Sequence, residues 1–160
     1  MILNKDKTIL QNLLLALLPY TKQNLQLVFM PNKFFNELEK SSGLSKTRLR
    51  ESYDRAIRDK IIIRTEYAMS LSLRGKQIVQ PFVAEIIKNN AKLMVIFDVP
   101  ENFAGRRQRF RNILKHLNFQ QIQLSVWMSD MDHRQILFES IEDIEIQQWV
   151  QLYEASEIKR

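Results

Sequence analysis

The apolar positions along this chain switch between two periods, and the switches mark its elements. Ile9, Leu10, Leu13, Leu14 and Leu17 fall on one face of a helix, which Asp6 is placed to cap and Pro19 to close. Leu25 to Phe29 reads as a short strand stopped by Pro31. Asn32 then opens a second helix that buries Phe35 and Leu38 and ends at Ser41-Ser42-Gly43, where glycine supplies a positive φ between two helices. Ser45 caps a third helix, with Leu49, Tyr53, Ala56 and Ile57 as its inner stripe. Beyond it the period drops to two. Ile61-Ile62-Ile63-Arg64 is β-branched, Glu66-Tyr67 turns, and Met69, Leu71 and Leu73 alternate with Ser70 and Ser72. A fourth amphipathic stretch carries Ile78, Val79, Phe82, Val83 and Ile86, with Pro81 predicting a kink or a restart.

The polar run Lys88-Asn89-Asn90-Ala91 reads as a linker. Leu93 to Phe97 follows without alternation, as in a strand covered on both faces. A helix then turns Phe110, Ile113, Leu114 and Leu117 inward and Arg106, Arg107, Arg109 and Arg111 outward, and Asn118 ends it. Ile122, Leu124, Val126 and Met128 share one parity of a long strand, or of two joined by a bend, with Gln121, Gln123, Ser125 and Trp127 on the other. Asp132 caps a helix burying Ile136, Leu137, Ile141 and Ile144, and Trp149 to Tyr153 forms a last strand. This sequence of elements predicts an α+β protein. An N-terminal winged helix-turn-helix (residues 1–90) precedes a ferredoxin-like βαββαβ domain (91–160) with two helices on one face of an antiparallel sheet.

Charge sharpens the division. Residues 1–90 hold 15 basic and 8 acidic side chains, whereas 91–160 hold 9 and 10, so the excess of cations belongs to the first part. Seven basic residues lie between Lys46 and Arg64, as expected for contact with a phosphate backbone. The competing reading is a solvated helix laced with ion pairs, since Glu51–Arg55 and Asp54–Arg58 are spaced i,i+4. The absence of cysteine excludes disulfide frameworks, thiolate metal sites and Cys nucleophiles, and two histidines rule out an imidazole-rich centre. Three glycines cannot build a glycine-rich nucleotide loop. The Leu13–Leu18 run is far below the roughly 20 residues that span a bilayer, and with no cleavage pattern after it a cytoplasmic protein without a membrane partner is expected.

In a winged helix the third helix enters the major groove, its N-terminal residues reaching base edges while flanking cations grip phosphates. Lys46, Thr47, Arg48, Arg50 and Ser52 form the expected reading set. Arg55, Arg58 and Arg64 are phosphate or structural charges, and Arg74 and Lys76 lie where the last helix meets the backbone. The same fold also serves protein contact alone. For the second domain, an open sheet face carrying Val95, Phe97, Trp127, Trp149 and Tyr153 at its surface or rim predicts a homodimer. Two winged helices held that way suit a near-palindromic operator in double-stranded DNA.

Phe34 to Gly75, with its helix-turn-helix, short wing and Leu-Ser-Leu-Arg-Gly-Lys junction, resembles the N-terminal domain of the PaaX family of transcriptional repressors. Val95-Ile96-Phe97-Asp98-Val99-Pro100-Glu101, followed by Arg107, Phe110, Arg111, Leu114 and Phe119 and then Leu124-Ser125-Val126-Trp127-Met128-Ser129, resembles that family's central domain. That domain is itself similar to the small ferredoxin-fold CRISPR nuclease that partners the spacer integrase. The resemblance implies a DNA-binding regulator with no enzymatic activity and no cofactor. Longer members carry a further C-terminal domain and respond to phenylacetyl-coenzyme A. This sequence ends after the last strand, so no small-molecule effector is assigned.

Two alternatives stay open. The nuclease relatives place a carboxylate at the end of their first strand, where Asp98 stands, so paired Asp98 residues in a dimer would form a Mg²⁺ site. A strand-end turn explains the same residue. The chain could instead act as an interaction adaptor in a CRISPR or defence assembly. Asp130-Met131-Asp132-His133 has metal-ligand chemistry, but a turn and helix cap account for it as well, and His116 is an ordinary charge near a helix C-terminus.

Overall fold

The computed structural model describes residues 7–18, 22–65, 69–156 and 158. The expected cap Asp6, the stop at Pro19 and the turn at Glu66-Tyr67 lie outside the described residues. The chain divides into two compact units, Met1–Val79 and Gln80–Arg160, and contains helices and two antiparallel sheets, an α+β composition.

In the first unit α1 spans Ile9–Ala16. Its N-cap is Thr8, whose hydroxyl accepts from the Gln11 amide while the Gln11 side chain accepts from the Thr8 N–H. α2 spans Lys22–Phe29. The strand expected over Leu25–Phe29 is therefore a helix: Leu27 is buried, Phe29 faces solvent, and the Met30 N–H bonds to the Gln26 carbonyl at 2.7 Å. The preceding Lys-Gln-Asn run suits a helix, and the short apolar stretch alone could not decide between the two periods.

α3 spans Pro31–Ser42, with Pro31 at its start in place of the expected cap at Asn32. Gly43 takes the left-handed conformation at φ 70° and closes it. α4 spans Lys46–Arg58 and is capped by Ser45 as expected. Phe34, Phe35, Leu38, Leu49 and Ala56 join Leu13 and Leu14 in the core, with edge-to-face contacts running from Phe34 to Phe35 and on to Tyr53.

β1 (Ile62–Arg64) and β2 (Met69–Leu71) pair as a hairpin, Ile62 opposite Leu71. α5 spans Leu73–Val83 and passes Pro81 without a break, near enough to its end that few bonds are lost. Ile86 lies beyond it and is exposed, contrary to the expected helical face. Gly75 is buried in the first turn of α5, where a Cβ would stand 2.6 Å from the Ile61 carbonyl oxygen.

Residues after Val79 pack within the second unit. Glu85 and Ile87 bond to Asp132 and Asp130, and the Gln80 side chain donates to the Asp132 carbonyl. β3 spans Lys92–Phe97, α6 Ala104–His116, β4 Gln120–Gln123, β5 Val126–Ser129, α7 Arg134–Ile144 and β6 Val150–Ala155. The strands order β4-β5-β3-β6, every pair antiparallel. Asn118 is left-handed at φ 60°, as expected for the residue that stops α6. Phe110, Leu114, Leu117, Ile136, Leu137, Ile141 and Ile144 are all buried by the helices.

The sheet has one covered and one open face. Leu93, Val95 and Phe97 point into the core, Phe97 edge-on to Phe110 at 5.2 Å. Register places Trp127 opposite Val95, and so on the same covered face. Val95, Phe97 and Trp127 are 0%, 1% and 2% exposed, so they are core residues and not the surface expected of them. Trp149 sits in a short 3-10 turn, half-buried against Phe103 at 4.8 Å. Of that set only Tyr153 is exposed, opposite Met94. The open face is built from the other parity: Met94, Ile96, Val126 and Met128, with Tyr153 and the exposed Ile122.

Candidate nucleic-acid interface

α4 lies against the core through Leu49 and Ala56, with Tyr53 and Ile57 half-buried beside them. A rotation of about 100° per residue then separates the polar positions into three directions. Thr47, Asp54 and Arg58 share the outermost stripe and are exposed. Arg48, Glu51 and Arg55 lie on one side of it, on a cleft of about 600 Å³ that the start of α1 completes. Lys46 and Arg50 lie on the other side, towards α3.

The residues expected to read bases are therefore not equivalent. Lys46 donates from Nζ to Asn36 Oδ1 at 2.5 Å, and its backbone N–H bonds to Glu39 Oε1 at 2.8 Å. The Arg50 guanidinium bonds to Asn32 Oδ1 and stands 5.4 Å from the Phe35 ring centre, stacked as a cation on an aromatic face. Both side chains tie α4 to α3. Ser52 is half-buried beside the cleft. Thr47 and Arg48 remain exposed, as do Arg55 and Arg58.

The ion pairs that i,i+4 spacing offers do not form. Among the described residues, the guanidinium groups of Arg48, Arg55 and Arg58 have no hydrogen-bond or carboxylate partner. A helix with three unneutralised arginines presents a field suited to an anionic polymer. Arg64 is exposed on the hairpin, Arg74 is exposed in the first turn of α5, and Lys76 is exposed two residues further on. Tyr53 donates from its hydroxyl to Met69 Sδ at 3.7 Å, and burial pushes its pKa up, with Arg64 acting in the opposite sense.

In the second unit the arginines of α6 are committed. Arg106 pairs with Glu145 at 2.5 Å, Arg109 with Asp143 at 2.6 Å, and Arg107 with Glu101 at 3.3 Å. Arg107 also bonds to the Val99 carbonyl at 3.2 Å. Arg111 crosses the Phe97 ring at 5.9 Å. Asp98 follows β3 with an exposed carboxylate, and its backbone N–H bonds to the Trp149 carbonyl at 3.0 Å. Its side chain makes no hydrogen bond to the turn. Among the described residues no group of three His, Asp or Glu side chains is placed to hold a metal ion. A single carboxylate is too small a donor set for Mg²⁺ within one chain.

Asp132 accepts from the Arg134 backbone and guanidinium, and that side-chain bond holds its pKa below the usual carboxylate value. His133, where α7 begins, is 1% exposed beside Phe119 with neither ring nitrogen in a good hydrogen bond. Burial pushes its pKa down, against the pull of Asp132. Sequence patterning did not reveal this burial, although the residue's place between a turn and an apolar helix was a usable signal. No helix among the described residues is long and apolar enough to cross a membrane.

Residues 91–160 match the family model described as the PaaX protein central Cas2-like domain. Neither the curated proteins nor the solved structures provide a significant match.

Proposed function

We propose that this chain is a dimeric, sequence-specific double-stranded-DNA-binding transcriptional regulator of the PaaX type, acting in the cytoplasm as a repressor. In this reading the first unit, Met1–Val79, forms a winged helix-turn-helix and α4 enters the major groove. Residues 91–160 form a ferredoxin-like dimerisation domain. The observation that carries the reading is the outer side of α4, where Arg48, Arg55 and Arg58 stand exposed and unneutralised although Glu51 and Asp54 are one turn away. The order helix, left-handed Gly43, capped helix and short hairpin supports it. So does the match of the second part to a domain of a named regulator family.

Dimerisation is assigned to the open sheet face, where Met94, Ile96, Val126 and Met128 form a contiguous apolar strip between Ile122 and Tyr153. A strip that lies across two central strands can pair with itself about a two-fold axis. Two copies of α4 in one dimer then suit a near-palindromic operator. The test is an unbiased selection of bound genomic fragments, run in parallel with EDTA and with Mg²⁺. Enrichment of a shared inverted repeat in both arms is expected. Failure to retain any duplex at low salt refutes the reading. Cleavage confined to the Mg²⁺ arm and lost in Asp98→Asn replaces it with a nuclease.

A further inference from the structure

We propose that the cleft between the start of α1 and α4 seats the sugar–phosphate backbone of the bound DNA. Arg48 and Arg55 are then positioning residues, and sequence reading falls to Thr47, Asp54 and Arg58. The inference rests on the DNA-binding reading above and divides its interface into two parts with different duties.

The geometry comes from α4 itself. Arg48 and Arg55 are seven residues apart, two turns and roughly 10 Å along the axis, and both line the same side of the cleft. Neither guanidinium has a hydrogen-bond or ion-pair partner among the described residues. Lys7 lines the cleft as well. Ile9 and Leu44 add apolar surface to a lining that also holds Thr8, Ser52 and Glu51, and that surface suits the deoxyribose faces that alternate with phosphates along a strand. The N–H groups of Ile9 and Leu10, in the first turn of α1, have no acceptor among the described residues and add donors on that side.

Glu51 is the one carboxylate among the residues lining the cleft, and its charge opposes a phosphate. It limits affinity without selecting sequence. Thr47, Asp54 and Arg58 project from the outermost stripe, one helical edge away from the cleft. They carry a hydroxyl, a carboxylate and a guanidinium, the chemistries that distinguish base edges in the major groove.

Two duties predict two signatures. The experiment measures binding across a salt series for the wild type and for Arg48→Gln, Arg55→Gln, Arg58→Gln and Glu51→Gln. Each is tested on the fragment enriched by selection and on a random-sequence duplex. Arg48→Gln and Arg55→Gln each should lower the salt slope by about 0.9 and weaken both duplexes by the same factor, leaving the specificity ratio unchanged. Glu51→Gln should strengthen both duplexes equally. Arg58→Gln should lower the ratio by at least about fivefold. All four side chains are exposed, so thermal melts should coincide with the wild type. The division is overturned if Arg48→Gln or Arg55→Gln changes the ratio, or if neither changes the slope. A wild type that retains no duplex overturns the DNA reading itself, which is a different result.

Discussion

Gly75→Ala offers a stability test whose sign the packing decides. In an open helix this change is favourable by about 0.5–1 kcal/mol, because glycine loses more backbone freedom on folding. At Gly75 the added Cβ would stand 2.6 Å from the Ile61 carbonyl oxygen and 3.2 Å from the Leu71 Cβ. An ordinary contact needs roughly 3.4 Å, so that carbonyl would have to withdraw by roughly 0.8 Å. It cannot do so freely, because it accepts the Ser72 N–H at 3.0 Å, where the hairpin enters α5.

Overpacking of this kind costs about 1–3 kcal/mol, and stretching the bond adds about 1 kcal/mol. Against the helix gain, the net loss is about 2 kcal/mol, or about 8–16 °C in the melting of a unit this size. Gly105→Ala is the control. Gly105 lies in the first turn of α6 with nothing within 4 Å of where a Cβ would stand, so the change should raise stability by up to about 1 kcal/mol. Circular dichroism melts follow Gly75→Ala. Tryptophan emission follows Gly105→Ala, since Trp127 and Trp149 both lie in the second unit. A Gly75→Ala protein that melts at or above the wild type refutes the packing argument.

Trp127→Ala should remove about 3–5 kcal/mol from the second unit, measured by denaturant titration, because the ring is buried on the covered face of the sheet. Met128→Glu, on the open face one residue away, should leave that unit folded but shift sedimentation to a monomer. A Met128→Glu dimer as tight as the wild type would contradict the assigned face. Stability should also fall with pH below about 6.5, the ordinary histidine value, because the unfolded chain then takes up a proton that buried His133 resists. A second loss follows below about 3.8, where the unfolded Asp132 carboxyl protonates before the folded one. His133→Phe should abolish the first loss and leave the second, as read from melts across a pH series.

Much of this organisation is written in local chemistry. Ser45, Gly43 and Asn118 mark helix boundaries because each supplies a cap or a left-handed residue that few others can. The stripes of α6 and α7 are equally plain, since both helices bury one side only. What stays hidden depends on partners remote in sequence. Lys22–Phe29 is too short for its period to decide between strand and helix, and packing settles it. Parity with Gln121 and Ser125 points Trp127 to the surface. Pairing with Val95 puts it on the covered face instead, whereas its other partner, Gln121, stays exposed because β4 is an edge strand. Likewise, the periodicity of α4 separates its buried side from its polar side but does not divide the polar side into directions. Lys46 and Arg50 turn to Asn36, Asn32 and Phe35, contacts that only the folded pair of helices creates.

Strand-cleavage footprinting on the selected fragment tests the central claim most directly. Two equivalent protected patches are predicted, centred about 10 bp or a multiple of it apart, and both should disappear together in the Arg48, Arg55 and Arg58 triple glutamine variant. One isolated patch, or a footprint that survives loss of all three arginines, would contradict the account.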